Sequence, residues 1–169
     1  MIIRVIVILV IVLSSTYSAT AQTKLLPQDL TVVAEKCNCE QINDFLDRPG
    51  MIEPPYVYGV LSGEKENSAV FWCQAKGRKK SYNLILTTRK TEVDPWSYEI
   101  IITTQNYPRG LSIIAKPSLP LTDFIYISDF KKHGPKGIST THSAISSYYD
   151  GVSEIFYNHD GKWLVKQLD

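Results

Sequence analysis

The sequence lacks two features that would place the protein on nucleic acid or inside a membrane. Its 18 basic residues are nearly balanced by 17 acidic ones. Nucleic-acid binding needs a surplus of positive charge to neutralise phosphates, so this balance argues against nucleic acid as the main partner. Beyond residue 21 no apolar run approaches the ~20 residues that a spanning helix needs. We therefore expect no stable membrane anchor in the mature chain.

Recognisable catalytic and metal-binding motifs are also missing. There is no G-x-S-x-G nucleophile elbow, and the acidic residues fall in no known motif. The two adjacent cysteines form a C-x-C pair, whereas zinc sites usually space their ligands by two to four residues and need two more. We expect no metal and no other cofactor, and an enzyme is not the class that the sequence favours.

The first 21 residues have the order of a secretory signal peptide. Arg4 precedes an apolar run over residues 5–13, and small residues ending in Ala19-Thr20-Ala21 follow. The run is too short to cross ~30 Å of hydrocarbon, although an uncleaved N-terminal anchor is the alternative. We predict a signal peptide over residues 1–21 and a secreted or periplasmic location. The remaining chain has one domain's length.

One short helix is predicted near the start of the mature chain. Residues 22–36 lack clear periodicity and are expected to form an extended lead-in to a single globular domain over residues 37–169. Asn38 suits an N-cap, and Gln41 can bond back to its amide as in a capping box. Pro49 would end the helix, because proline cannot continue the hydrogen-bond ladder. The apolar stripe of this helix is Ile42, Phe45 and Leu46.

From Pro55 onward the sequence is typical of strands. Segments rich in β-branched and aromatic residues alternate with short polar connectors. These segments are YVYGVL, SAVFWCQA, SYNLILTT, SYEIIITT, LSIIA and DFIYIS. Near the C-terminus Asp150-Gly151 and Asp160-Gly161 flank one further strand, and Asp-Gly readily takes the positive φ angles of tight turns. We therefore predict a terminal hairpin. Residues 141–149, THSAISSYY, fit either type of element, and we expect a short helix there.

Several of the predicted strands are apolar on both faces. In FIYIS, Phe124 and Tyr126 point one way while Ile125 and Ile127 point the other. A strand of this kind needs cover on each side, and with little helix available most of that cover must be sheet. The fold class is therefore mainly β: one antiparallel domain, built as a curled sheet, sandwich or partly open barrel, with one short N-terminal helix.

The three cysteines predict one disulfide and one leftover thiol. An odd count in an exported chain leaves one cysteine unpaired. A bond between Cys37 and Cys39 would close a very small, strained ring. Cys39 shares the apolar stripe of the predicted helix, and Cys73 lies on one face of a strand. We predict a Cys39–Cys73 disulfide, with Cys37–Cys73 as the alternative.

Cys37 would then remain as a free thiol just before the predicted helix. A thiol near a helix N-terminus can have a lowered pKa and enhanced reactivity. This position makes a thiol-redox accessory one alternative function. A spare, partly buried thiol without a chemical role is the interpretation that we favour.

The histidines raise one enzymatic alternative. His133 lies in DFKKHGPKG and His142 in STTHSA, two segments rich in lysine, glycine and hydroxyl groups. Either histidine could serve as a general base beside a hydroxyl nucleophile, which would make the protein a small exported hydrolase. The candidate nucleophiles are Ser139, Thr140, Thr141 and Ser143. No motif fixes their geometry, so they remain the catalytic candidates of an alternative function.

Two groups of residues are candidates for binding. Lysines beside glycines can hold an anion through side chains and amides, and aromatic side chains near loops can form binding platforms. The first group is Lys131, Lys132, His133 and Lys136, and the second is Tyr56, Tyr58 and Tyr107. We predict an exported, non-catalytic binding or protein-interaction domain whose partner is another exported protein or a small ligand.

Overall fold

The computed structural model describes residues 26–42, 54–61, 67–93, 95–106, 108–114, 123–138, 141–149 and 152–168. Within these residues the chain forms one helix, α1 (Gln28–Lys36), and eleven strands. The strands are β1 (Cys39–Glu40), β2 (Tyr56–Gly59), β3 (Asn67–Ala75), β4 (Tyr82–Arg89), β5 (Ser97–Thr104), β6 (Pro108–Ile114), β7 (Ile125–Tyr126), β8 (Asp129–His133), β9 (Ala144–Tyr149), β10 (Val152–His159) and β11 (Lys162–Leu168).

The strands form two antiparallel sheets. Sheet A has the order β1-β3-β4-β5, and β2 also pairs with β3. Sheet B has the order β6-β9-β10-β11-β7-β8. The sheets approach each other where the amide of Leu111 in β6 donates to the carbonyl of Pro54, just before β2, at 3.2 Å. The prediction of a mainly β, antiparallel domain is confirmed, and the sheets curl into a half-barrel.

An apolar core lies between the two sheets. Alternate residues of β3 point inward, as the period of two in a strand requires. Trp72 is fully buried among them, and its indole N–H donates to the hydroxyl of Ser147 in β9 at 3.2 Å, which satisfies the one polar atom of the ring. The buried side chains of this core are Ile42, Leu61, Val70, Trp72, Tyr82, Leu84, Leu86, Ile101, Leu111, Ile145, Phe156 and Val165.

Helix α1 covers the outer face of sheet A. Its buried residues Leu30, Val33 and Ala34 follow the i, i+3, i+4 spacing of an apolar stripe. They pack against the outward-facing side chains of β3, including Phe71. Asp29 in the first turn and Lys36 in the last turn complement the helix dipole. The expectation of an extended lead-in is therefore wrong for residues 28–36. An apolar stripe of only three residues stabilises a helix only when it packs against other apolar residues, and here the face of sheet A provides them.

The helix predicted to begin after Asn38 does not begin there. Asn38 has φ of 55°, in the left-handed region, whereas an N-cap residue takes an extended conformation. Asparagine tolerates this conformation, and the turn directs the chain from α1 into β1. Cys39 and Glu40 are accordingly strand rather than helix. Residues 43–50 of the predicted helix lie outside the described residues.

The predicted disulfide is confirmed. Cys39 in β1 is bonded to Cys73 in β3, with their Cα atoms 5.7 Å apart. The two cysteines meet because β1 and β3 are hydrogen-bonded neighbours, and not because a helix lies on the sheet, as the sequence suggested. Asn83 in β4 places its amide nitrogen 3.4 Å from the sulfur of Cys39. The bond therefore joins a two-residue strand to the centre of sheet A.

The C-terminal half contains one confirmed prediction and one correction. β10 and β11 form the expected hairpin, and Asp160 and Gly161 in its turn have φ of 51° and 74°. The other turn, Asp150-Gly151, lies outside the described residues. The short helix expected in residues 141–149 is wrong, because Ala144–Tyr149 forms β9 between β6 and β10. Ladder hydrogen bonds on both sides outweigh a weak local preference for helix.

The edge strand β5 carries an irregularity. Among the described residues it pairs only with β4. Leu84 of β4 lies opposite Ile102, while the next residue, Ile85, lies opposite Ile100, so that Ile101 is an extra residue in the edge strand. This is a β-bulge, which bends and twists the strand that contains it.

Candidate functional site

The two candidate catalytic histidines differ sharply in environment. His142 is buried, and its ring stacks on Tyr157 with centroids 4.5 Å apart. Its Nδ1 lies 3.0 Å from the carbonyl oxygen of Ser143 and its Nε2 lies 2.9 Å from that of Asn158. Both ring nitrogens thus face backbone acceptors. The ring is a structural link between the segment that precedes β9 and strand β10. Both nitrogens are directed at carbonyl oxygens of the backbone.

His133 lies at the end of β8 and is exposed. Its backbone partner in the ladder is Ile125 of β7. A general base needs a nucleophile within hydrogen-bond reach, and among the described residues no hydroxyl group is hydrogen-bonded to His133. The structure therefore brings together no catalytic pair from the two histidines, and Ser139 and Thr140 lie outside the described residues.

The candidate tyrosines occupy the region beside α1. Tyr56 is half-buried and packs against the cluster under the helix. Tyr58 is exposed, its ring lies edge-on to Tyr56 at 5.9 Å, and its hydroxyl donates to the carboxylate of Asp29 in α1 at 3.0 Å. Desolvation by burial and the adjacent carboxylate raise the pKa of Tyr58. These contacts tie β2 to α1, and Tyr107 lies outside the described residues.

The free thiol of Cys37 does not have the environment expected from the sequence. Cys37 follows the last turn of α1, at the C-terminal end of a helix instead of its N-terminal end. Burial raises the pKa of the thiol from 9.0 to about 11. The expectation of a lowered pKa is therefore wrong, because burial desolvates the thiolate and this disfavours ionisation.

The candidate lysines lie on an exposed hairpin at the edge of sheet B. All five residues of β8 are exposed, and β8 pairs only with β7 among the described residues. Lys131 and Lys132 are in the strand, and Lys136 follows in the exposed loop. The amide of Lys131 donates to the Asp129 carboxylate at 3.2 Å, which stabilises the start of the strand.

The fold brings a further lysine to this hairpin. The ammonium group of Lys132 lies 5.6 Å from the ring centroid of Tyr126 in β7. The ammonium group of Lys162, at the start of β11, lies 5.8 Å from the same centroid. Two cations therefore share one aromatic ring, within the ~6 Å at which the ring quadrupole attracts a cation.

An exposed aromatic side chain completes the surface. Phe130 is 60% exposed and lies two residues before Lys132 in β8. We call the surface formed by Tyr126, Phe130, Lys132 and Lys162 the hairpin face. It combines an unburied phenyl ring with two ammonium groups.

One acidic residue, Asp129, lies within the hairpin itself, opposite Tyr126, and its carboxylate accepts the Lys131 amide; two further acidic residues contact other side chains. Asp123 lies 3.8 Å from Lys166, and Asp160 lies 3.5 Å from His159. Neither Lys132 nor Lys162 forms an ion pair with any residue that the structure describes. Two like charges held near one ring repel each other, and an approaching anion would relieve this repulsion. The hairpin face is therefore electrostatically suited to an anionic group.

Part of this surface is predictable from the sequence. Lys132 was predicted as a binding residue, whereas Tyr126, Phe130 and Lys162 were not. The position of Phe130 directly before two lysines was a usable local signal. Lys162 carries no such signal, because only the pairing of β11 with β7 brings it to the hairpin.

A cleft of about 310 Å³ opens between β5 and the turn of the terminal hairpin. Its floor includes Leu86, and its walls include Glu99, whose carboxylate accepts a hydrogen bond from the indole N–H of Trp163. The hydroxyls of Thr88 and Ser97 in the same wall are hydrogen-bonded to each other at 2.8 Å. Several polar groups that line this cleft are thus already hydrogen-bonded to other residues of the protein.

Comparison with family models, curated proteins and solved structures found no match to this chain. In the described part of the chain, no three His, Cys, Asp or Glu side chains come close enough together to hold a metal ion. The one helix found there is too short to cross a bilayer.

Proposed function

We propose that this protein is exported, to a periplasm or outside the cell, and acts as a non-catalytic binding or protein-interaction domain for an anionic partner. The partner binds at the hairpin face. Export is supported by the signal-peptide pattern of residues 1–21 and by the Cys39–Cys73 disulfide, a bond that persists mainly in oxidising compartments.

The observation that carries the proposal is the pair of unneutralised lysines on one ring. Lys132 and Lys162 both approach Tyr126, and no described acid pairs with either of them. Phe130 beside them is exposed although the fold has buried cores available on several faces. Residues arranged in this way contribute little to folding, and aromatic side chains are enriched at binding surfaces.

A heparin column tests the proposal, because its sulfated polysaccharide is a general anionic probe. Replacing Lys132 and Lys162 together with alanine should move elution to a lower salt concentration, since binding that neutralises charge is salt-dependent. The matched control replaces Lys76 and Lys79, two exposed lysines in the β3–β4 turn, and changes the net charge equally. Its elution should stay near that of the wild type. Equal shifts for both variants would contradict the proposal.

The export part needs a separate measurement. Intact mass of the protein recovered from the periplasm or medium of an expressing cell should correspond to a chain that begins at Gln22 and contains one disulfide. Recovery only from the cytosol, with residues 1–21 retained and three free thiols, would contradict export.

The enzymatic and redox alternatives have no specific support. A hydrolase would need His142 or His133 beside a nucleophile, and His142 is occupied on both nitrogens by carbonyl groups. A thiol-redox accessory would need a reactive Cys37, whose pKa is raised to about 11. A binding domain is the function that the geometry supports best.

A further inference from the structure

The cleft between β5 and the terminal hairpin has one wall built on a regular stretch of sheet A. Leu86 and Thr88 of β4 lie directly opposite Glu99 and Ser97 of β5, and all four residues line the cleft. Alternate residues of a strand share a face, so these four side chains lie on the face that Leu86 directs into the core between the sheets. The volume of about 310 Å³ lies at the lower end of the ~300–1,000 Å³ range of ligand pockets, which fits a small molecule.

The hydroxyl groups of this wall can only accept hydrogen bonds from a ligand. Each hydroxyl has a single hydrogen atom to donate. Ser97 donates its hydrogen to the backbone carbonyl of Thr88 at 3.1 Å. In the 2.8 Å contact between the two hydroxyls, Thr88 must therefore be the donor. Both hydrogens are used within the fold, and lone pairs are what the two oxygens can offer a ligand.

Glu99 adds a negative charge beside these lone pairs. One of its carboxylate oxygens accepts the indole N–H of Trp163, and no described residue is hydrogen-bonded to the other oxygen. Glu99 is also the only charged side chain among the described residues that line the cleft. Lys162, which follows the lining residue Gly161, has its ammonium group near the ring of Tyr126. The described part of the cleft wall therefore carries a net negative charge.

Hydrogen-bond donors are scarce among the other side chains that line the cleft. The hydroxyl of Tyr98 donates to the backbone carbonyl of Lys36 at 3.2 Å. The carboxamide oxygen of Asn158 accepts the amide of Gly161 at 3.1 Å, which leaves the amino group of Asn158 as the one free donor among the described lining side chains. An anionic ligand would meet this single donor and a carboxylate, whereas a cation would meet several acceptor oxygens.

We propose that the cleft binds a small organic cation through a primary ammonium group. An ammonium group has three donors and no acceptor. Its donors match the hydroxyl oxygens of Thr88 and Ser97 and the second carboxylate oxygen of Glu99, while an apolar part of the ligand lies on Leu86. This site is separate from the hairpin face and does not rest on the function proposed for that face.

Three cyclohexane derivatives that differ in one group test the charge requirement. Cyclohexylamine, cyclohexanol and cyclohexanecarboxylate are each titrated into the full mature chain near neutral pH, and the tryptophan indole N–H signals are followed by NMR. The amine should shift the signal of Trp163, which donates to Glu99, in a saturable way, and should leave that of the buried Trp72 in place. The alcohol and the carboxylate should give no saturable shift. The proposal is overturned if the amine does not saturate, or if either of the other probes binds as tightly.

Glu99→Gln separates the charge of the site from its shape. The amide oxygen of glutamine can still accept the hydrogen bond of Trp163, so the fold should be retained. Affinity for cyclohexylamine should nevertheless fall about tenfold, because a hydrogen bond to a charged group is lost. Glu35→Gln is the matched control, since it removes the same charge from an exposed position of α1, on the other face of sheet A. Equal weakening by the two variants would overturn the proposal by showing a general attraction to negative charge.

Thr88→Val tests the acceptor role of the hydroxyl groups. It keeps the shape of the side chain and removes its oxygen, so affinity for cyclohexylamine should fall about fivefold. An unchanged affinity would overturn the assignment of this wall as the ammonium site. Circular dichroism verifies the fold of each variant, and the comparison of the three probes on the wild type decides the question even where a variant does not fold.

Discussion

The disulfide allows a sharp prediction about stability. Replacing Cys39 and Cys73 together with alanine opens a loop whose ends are separated by 34 residues. The chain-entropy relation gives a cost of about 4 kcal/mol for a loop of this length. A domain's free energy of unfolding is about 5–15 kcal/mol, so the variant should lose a large fraction of its stability. Alanine is the appropriate replacement, since both cysteines lie in an apolar cluster.

Urea unfolding, followed by tryptophan fluorescence, is the appropriate assay. With a urea m-value of about 2 kcal/mol/M, the predicted loss lowers the midpoint by about 2 M. Chemical reduction of the wild type should lower it by a similar amount. Cys37→Ala serves as the control and should leave the bond and the midpoint nearly unchanged. The reasoning is refuted if reduction leaves the midpoint in place, or if Cys37→Ala is the variant that loses the bond.

Three further predictions concern single side chains. Trp96→Phe should stabilise the protein by about 1 kcal/mol in urea unfolding, because the indole N–H is buried and no described residue accepts a hydrogen bond from it, while the ring packs under Arg89. A loss of stability would contradict this. Cys37 should react with iodoacetamide about 100-fold more slowly at pH 8 than a thiol of pKa 9.0, and the rate should rise as the pH approaches 11, because only the thiolate reacts. Alkylation at pH 8 as fast as in a short peptide would be evidence against the buried site. The raised pKa also means that the contribution of the neutral thiol to stability is complete below about pH 9 and is lost as the pH rises through about 11. His142→Ala should destabilise the fold by about 2–4 kcal/mol, through loss of the stacked ring and of its hydrogen bonding to the carbonyls of Ser143 and Asn158; a midpoint equal to that of the wild type would show that the ring is dispensable.

Strand content was predictable because the signal is local. Segments such as SYNLILTT and SYEIIITT are rich in β-branched and aromatic residues, which favour strands, and turn residues bound them. These two segments form β4 and β5. The terminal hairpin followed from Asp160-Gly161 for the same reason. At these positions the β-propensity and the turn residues favour the same structure as the tertiary contacts do, so the local signal predicts the fold correctly.

The helix was misplaced because its stability comes from outside its own sequence. Only three residues of α1 are buried, and no side chain caps its first turn. The stronger local pattern lay just after Asn38, yet the backbone there turns through a positive φ angle. A short helix depends on the surface that receives its apolar face, and the sequence does not reveal which segment reaches that surface first.

The binding surface was only partly predictable for a related reason. Lys131, Lys132 and Lys136 stand out in the sequence as a basic cluster. The partner residues Tyr126 and Lys162 lie 36 positions apart and meet only through strand pairing. The order of strands in sheet B depends on long-range pairing that no local pattern encodes.

The extra residue at Ile101 has a consequence for how copies of this protein behave in concentrated solution. β5 is an eight-residue edge strand with a single charged side chain. The unpaired amides and carbonyls of such an edge can pair with a strand of another molecule, which is how β-aggregation begins. A regular ladder on that edge would have to continue past the bulge, where the spacing of amides and carbonyls is interrupted. The bulge thus hinders the pairing of this edge with a second molecule. It protects the protein against self-templated assembly without a proline or lysine in the strand.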